Sequence, residues 1–318
     1  MNRKKVLFLI VIILLIIIIN ALLFVVLNKP IRRTLVVPDD YSTIQAAIDN
    51  AADGDTILVK EGTYHENPVI NKPLSLIGEN NVSTIIVGES GRGGGQVIFI
   101  LAKNTRVSNF TIESNPSSIY SIAANGIRLQ ADNAQITGNN IVNCYSAIFG
   151  DGNGSSSIIS TNNITANDFT AIRLFGAISN ITISGNNLVS NPDSTISLDG
   201  YSNTISGNKI ENSRWGIALG SGSNNNIFGN NITECSIYAI SFYLSSNSTI
   251  HENYITNNTV GIYFRDEYNG ENNNKFYRNN FINNTQDVYI GSPNYAEVWD
   301  NCEEGNYWSD YEERYPEC

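Results

Sequence analysis

The chain has 318 residues, with 19 basic and 30 acidic side chains, four Cys, two His and a single Met. Six of the basic residues fall in 1–33, which holds no acid, so the remainder carries 13 basic against 30 acidic residues, a net charge of −17. Such a surface repels phosphate backbones, which argues against nucleic acid as a partner and suits a soluble exterior domain.

The first predicted element is a membrane anchor. Arg3, Lys4 and Lys5 precede an apolar run from Val6 to Leu27 that only Asn20 interrupts. Its 22 residues suffice to span a hydrocarbon core of ~30 Å. A cleaved signal peptide has a shorter apolar region and a small-x-small site, and no clear Ala-x-Ala follows this one. The expectation is an uncleaved anchor with its amino terminus in the cytoplasm. Lys29, Arg32 and Arg33 on the far side weaken that orientation.

The exported part starts at Thr34–Pro38. Ser42-Thr43-Ile44-Gln45 is a capping-box pattern. Ile44, Ala47, Ile48 and Ala51 follow at helical spacing, and Gly54 ends the segment. Thr56–Val59, Val69–Ile70, Leu74–Ile77 and Thr84–Val87 read as the first strands. Gly91 to Gly95 is a loop without the context of a phosphate-binding loop.

From Gly126 to Ile290 one pattern repeats: ITGNNI, ISTNNI, ISGNNL, ISGNKI, IFGNNI, IHENYI and FYRNNF. Their last residues, Ile141, Ile164, Leu188, Ile210, Ile232, Ile255 and Phe281, are spaced by 23, 24, 22, 22, 23 and 26. A second apolar column, Ile127, Ile148, Ile172, Ile196, Ile217, Ile240, Ile262 and Val288, keeps step with the first. A fixed period in this range signals a solenoid. Within each repeat the apolar residues alternate with polar ones, as in Gly126-Ile127-Arg128-Leu129, the pattern of a strand with one buried face. One repeat therefore reads as three short strands joined by turns. It cannot bury its own apolar face and must stack on its neighbours. Asn139, Asn162, Asn186, Asn208, Asn230, Asn253 and Asn279 each lie two residues before the apolar anchor. Asn tolerates the left-handed geometry that a sharp turn needs. Stacked at ~4.8 Å, their amides can hydrogen-bond along the column and specify a register.

These residues resemble the right-handed parallel β-helix repeat family, found in carbohydrate-active proteins and in NosD-type periplasmic proteins. The resemblance covers roughly residues 36–318 and is specific for fold but not for activity. VPDDYSTIQAAIDNAADGDTILVKEGTYHE looks like the opening of NosD-type proteins and, more distantly, of pectin methylesterases, where it forms a cap and first coil. Beyond Ile290, Trp299, Tyr307, Trp308 and Tyr311 crowd an acidic tail. Gly-Asn-Tyr-Trp-Ser-Asp-Tyr (305–311) resembles the closing motif of archaeal NosD-like proteins, which implies an aromatic lid.

The repeat also places the cysteines. Cys144 and Cys235 share a turn column four coils apart, about 19 Å, beyond the reach of a disulfide. Cys302 and Cys318 can close the carboxy-terminal cap in an oxidising exterior. The NosD resemblance implies copper delivery, but copper wants clustered thiolate, thioether or imidazole ligands. His65 lies in an early coil and His251 in a late one, in column with Phe228 and Tyr277. No metal site is expected from these residues. A Ca²⁺-binding acidic cluster is not evident either, and no cofactor is predicted.

In carbohydrate-active relatives, substrate lies along the face that follows the Asn ladder and its strand. That geometry selects the outward positions Arg128, Gln130, Phe149, Asp151, Arg173, Phe175, Asp199, Tyr243, Tyr263 and Arg265. Asp168, Asp193, Arg214 and Trp215 in the preceding turns join them. Aromatics with interleaved charges can stack on sugar rings and hold hydroxyls or carboxylates. Arg128, Phe149, Phe175, Trp215, Tyr243, Tyr263 and Arg265 are the expected ligand-binding set. Asp151 and Asp199 share a column two coils apart, about 9.6 Å, near the separation of an inverting acid–base pair, with Arg173 between them. Those three are the catalytic candidates. The His that a polygalacturonase-like site leads one to expect is missing, and pectin methylesterase motifs do not match residue by residue.

Nine Asn-x-Ser/Thr sequons begin at Asn81, Asn109, Asn153, Asn163, Asn180, Asn231, Asn247, Asn257 and Asn283. They mark a glycoprotein if the host modifies exported chains.

The resulting expectation is an all-β, right-handed parallel β-helix of about ten coils behind a transmembrane helix. Residues 1–33 are the tip, anchor and flank; 34–90 the cap and first coils; 91–290 the repeats; 291–318 the aromatic cap. The leading function is a cell-surface binding or scaffolding protein for polysaccharide, with a surface protein as another partner. The alternatives are a polysaccharide-active enzyme and a copper-maturation factor. The acidic surface argues mildly against tight binding of a polyanionic glycan unless cations mediate.

Overall fold

A computed structural model describes residues 3–27, 32–90, 95–116, 124–265, 273–291, 297–310 and 312. The chain divides into two compact units, residues 1–33 and a second that begins at Thr34. In the first, helix α1 covers Arg3–Leu27. Its unbroken run of described side chains is Ile10–Asn20. Among the described residues no helix is long and apolar enough to cross a membrane, so the anchor rests on the sequence alone.

The second unit is a parallel β-solenoid with three faces. The first face has 11 strands, from Thr34–Val37 to Lys275–Tyr277, and the second has 11, from Gly62–His65 to Tyr307–Trp308. The third has 10, from Val69–Ile70 to Gln286–Ile290. This makes about eleven coils, against the ten expected for the whole β-helix. The column from Ile127 to Ile262 is fully buried and pairs rung by rung on the third face. The column from Ile141 to Phe281 does the same on the second. Burying each such side chain contributes roughly 2 kcal/mol, and parallel pairing lets every coil share its interior with the next.

Most turns share one pattern: a residue with positive φ, then in many coils a residue whose polar side chain reaches the next coil. At the first turn the left-handed residues are Gly138, Thr161, Gly185, Gly207, Gly229, Glu252 and Arg278. The Asn that follows them is not left-handed, which corrects the expectation that it supplies the bend. Its side chain bonds instead. Asn186 is typical: its backbone N–H donates to Asn208 Oδ1 at 3.0 Å and its Nδ2 donates to the same oxygen at 2.9 Å. The chain of amides runs through Asn139, Asn162, Asn186, Asn208, Asn230, Asn253 and Asn279 to Asn306.

Two further interior columns serve the other turns. One holds Cys144, Asn167 and Asn191, then Cys235, Asn258 and Asn284. The other runs Asn203, Asn225, Ser248, Asn274 and ends on Glu297.

Both ends are closed. Helix α2, Ile44–Asn50, buries Ile44, Ala47 and Ile48 over the first coil. Thr43, not Ser42, is its N-cap, accepting from the Ala46 N–H at 3.1 Å. The expected capping box does not form, because Glu66 reaches in from the next coil and accepts from both Ile44 N–H and Gln45 N–H. Gln45 instead accepts from Val69 N–H. The helix stops at Asn50, ahead of Gly54. At the other end Trp299 stacks on Phe276 at 4.6 Å and Trp308 on Phe281 at 4.3 Å. Cys302 is exposed, and its expected partner Cys318 lies outside the described residues, as do Tyr311 and residues 91–94 of the glycine loop.

Candidate functional site

Four successive third-face strands are longer than the others. Ile172–Ser179 and Ser194–Tyr201 have eight residues, and Trp215–Ser223 and Tyr238–Ser246 have nine. Register sets their outward side chains in columns. One column reads Arg128, Phe149, Arg173, Ser197, Ala218, Ser241, Tyr263, Tyr289. Its middle three members are small while both ends are large. In the adjoining outward column Gly220 also lacks a side chain. The result is a trough of about 570 Å³ whose floor is Ser197, Ala218, Gly220 and Ser241. Its ends lie four coil steps apart, about 19 Å.

The walls are aromatic. Phe169 and Phe175 flank the Arg173 end, Trp215 and Tyr238 one long side, and Tyr243, Tyr263 and Arg265 the far end. Tyr238 and Tyr263 stack at 3.9 Å, and Tyr263 continues onto Tyr289 at 5.3 Å. Arg265 lies 3.9 Å over the Tyr243 ring, and Arg214 packs 5.0 Å from the Trp215 ring. Trp215 Nε1 is shielded from solvent and has no hydrogen-bond partner. Asp193 and Asp199 are the trough's carboxylates.

Asp199 is held by an absence. A Cβ on Gly220 would meet Asp199 Oδ1 at 1.7 Å. The missing side chain lets the carboxyl lie across the next coil, toward the Ser221 amide. Burial raises its pKa above the ordinary range, opposed by the Ser221 backbone and by the charge of Arg173.

The structure therefore gathers Arg173, Phe175, Asp193, Asp199, Trp215, Tyr243, Tyr263 and Arg265 around one trough. It leaves Arg128, Phe149 and Asp151 outside. Asp151 accepts from Arg128 Nη2 at 3.0 Å and from Gln130 Nε2 at 2.9 Å. The catalytic trio of Asp151, Arg173 and Asp199 is thus divided. Asp168 is exposed in its turn. Phe169, Tyr238 and the small floor residues were not singled out in the sequence. Tyr238 pairs directly with Trp215, so the repeat spacing applied to Trp215 would have found it.

The sequence model of the periplasmic copper-binding protein NosD matches residues 108–313. This chain belongs to the NosD family. No curated protein sequence matches it. Among solved structures, the NosD-family chain superposes on the Dettilon tailspike protein with a TM-score of 0.60 at 15% identity, covering 86% of this chain and 70% of that one. For pectate lyase Pel9A the values are 0.55 and 12%, with 87% and 82% covered. For alginate lyase from Paenibacillus sp. str. FPU-7 they are 0.50 and 13%, with 82% and 99% covered. At such identities these likenesses show the fold alone.

The residues of this NosD-family chain do not fit a copper site. Copper takes thiolate, thioether or imidazole donors. Cys144 and Cys235 are interior, and burial pushes the Cys235 thiol up to about 12 and Cys144 upward as well. His65 lies on an early second-face strand, before the matched region. His251 is stacked between Phe228 and Tyr277 at 5.0 Å each, and its Nε2 faces Asn226 Oδ1. Among the described residues no three His, Cys, Asp or Glu are grouped to hold a metal.

Proposed function

We propose that this chain is a surface protein that binds polysaccharide in the third-face trough. The observation that carries the reading is a small-residue floor between facing aromatic walls, a shape that admits sugar rings and stacks them. The names of the pectate lyase and the alginate lyase associate the same architecture with polysaccharides, as an analogy of fold. The family description is periplasmic, in keeping with a domain outside the cytoplasm. Helix α1 supplies the anchor in this reading. What supports it is the apolar run from Val6 to Leu27 in the sequence, long enough for a hydrocarbon core.

A glycan-array screen of the full chain in detergent micelles tests the binding. Trp215→Ala should weaken any glycan found by about ten-fold, the scale of a lost ring stack plus its buried area. A glycan bound equally by Trp215→Ala and Tyr263→Ala proteins would place recognition elsewhere and sink the proposal. One observation favours catalysis as a second reading: burial raises the pKa of Asp199, in the trough, above its ordinary value. Mass spectrometry of the bound glycan decides that. Shortened or desaturated products lost in Asp199→Asn would establish it, and intact glycan would dismiss it.

A further inference from the structure

Two arginines on the third face share one setting and differ in one respect. Arg128 packs between Phe99 and Phe149, at 5.5 and 5.8 Å from their centroids. Arg173 packs between Phe169 and Phe175, at 5.1 and 4.4 Å. They occupy the same outward column, two coils apart. Arg128 is neutralised by Asp151, from the next coil and the adjoining outward column. The residue standing in that relation to Arg173 is Asp199, which the Leu174–Leu198 pairing places one coil on. Asp199 does not close the pair. It lies over Gly220 instead, and Arg173 makes no ion pair or hydrogen bond with any described residue.

We propose that the Arg173 end of the trough is a subsite for one carboxylate-bearing sugar within an otherwise neutral glycan; this rests on the glycan-binding reading above. A guanidinium packed against two rings has restricted freedom and keeps its planar fork of donors available, which suits bidentate capture of a carboxylate. The ligand carboxylate takes the role toward Arg173 that Asp151 takes toward Arg128. The net charge of −17 on the exterior part sets the density: it opposes a chain charged at every sugar, whereas one carboxylate meets mainly the local guanidinium.

The test uses a panel of neutral polysaccharides, each also prepared with sparse and with complete oxidation of its primary hydroxyls to carboxyls. Binding to the full chain in detergent micelles is read by calorimetry. Sparse oxidation should tighten binding about ten-fold over the neutral parent, and complete oxidation should weaken it again at low salt. Arg173→Gln should abolish the gain, so that the neutral and the sparsely oxidised forms of a polymer bind the variant equally. Gly220→Ala should abolish it too, because its Cβ drives Asp199 back toward Arg173, and circular dichroism will show whether both variants keep the solenoid. No gain on sparse oxidation, or a gain unchanged in Arg173→Gln, overturns the subsite while neutral binding that is sensitive to Trp215→Ala leaves the trough reading intact. Failure of every polymer in all three forms sinks the trough reading itself.

Discussion

At the scale of single residues, the molecule is decided by side chains that are missing as much as by those present. Gly220 is one such place, and Asp199 carries the consequence. Its raised pKa means that the folded chain binds a proton the unfolded chain would release. The corresponding stability is complete below the ordinary 3.8 and is lost as pH rises through the higher folded value. Asp199→Asn removes that loss while keeping an acceptor for the Ser221 amide. Thermal unfolding should therefore show a melting temperature equal to or above that of the parent at pH 8, with no advantage in acid. A variant melting lower at pH 8 would show that the charge stabilises the fold after all. The sequence revealed the large outward residues of this face, because each announces itself by type. It hid the trough, which is defined by Ser197, Ala218 and Ser241, residues that look like ordinary spacers until their register is known. It also hid the fate of Asp151: Arg128 and Gln130 are themselves outward candidates, and only geometry shows them spent on one another.

At the scale of the turn and its column, the three interior ladders hold the coils in register. Removing a mid-ladder amide orphans donors on the neighbouring coil. Asn208→Ala leaves both the backbone N–H and Nδ2 of Asn186 without their acceptor. Chemical denaturation should report a loss of about 3 kcal/mol. Asn187→Ala, on the outward column beside it, removes one exposed bond to Asn163 and should cost under ~0.5 kcal/mol. Equal losses would mean that the interior ladder has no special weight.

The third ladder ends differently, on Glu297. Burial pushes its carboxyl from the ordinary 4.5 to about 7, although Asn274 donates to Oε1. The folded state keeps this proton, so its contribution is complete below about 4.5 and fades as pH rises toward 7. Melting curves should show Glu297→Gln flattening the decline between pH 5 and 8, and an unchanged decline would refute the assignment. The first ladder was legible because Asn recurs there at a fixed offset from an Ile. The others were not, because Cys144, Ser248 and Glu297 stand in for Asn and blur the column. The capping box misled for another reason: Glu66, twenty-two residues from Ile44, competes for the same N–H groups.

At the scale of the whole molecule, a solenoid is a stack whose coils meet only their neighbours, and its ends set where it opens first. Trp308→Ala strips the ring from Phe281 and should cost roughly 2 kcal/mol, less than for a fully enclosed Trp. Hydrogen exchange should then speed up in Lys275–Tyr277 and Asn280–Ile282 and leave Asn163–Thr165 and Lys209–Glu211 protected. Uniform acceleration would show that the stack unfolds as one piece and that the lid is not a local latch. The period and the apolar columns carried the fold in the sequence, since each is repeated often enough to survive exceptions. Coil number was the weak point, because the first coils keep the pairing but not the Asn signature. The amide columns have one more effect, on what can lie along the outside. They fix the rise of the stack at close to 4.8 Å, so the face is a lattice with a single repeat distance. A polymer whose own repeat differs runs out of phase with that lattice after a few units, as two combs of unequal pitch do. The small-residue floor spans only three coils, short enough that the mismatch never accumulates. For the polysaccharide proposed as its ligand, a longer trough would gain little.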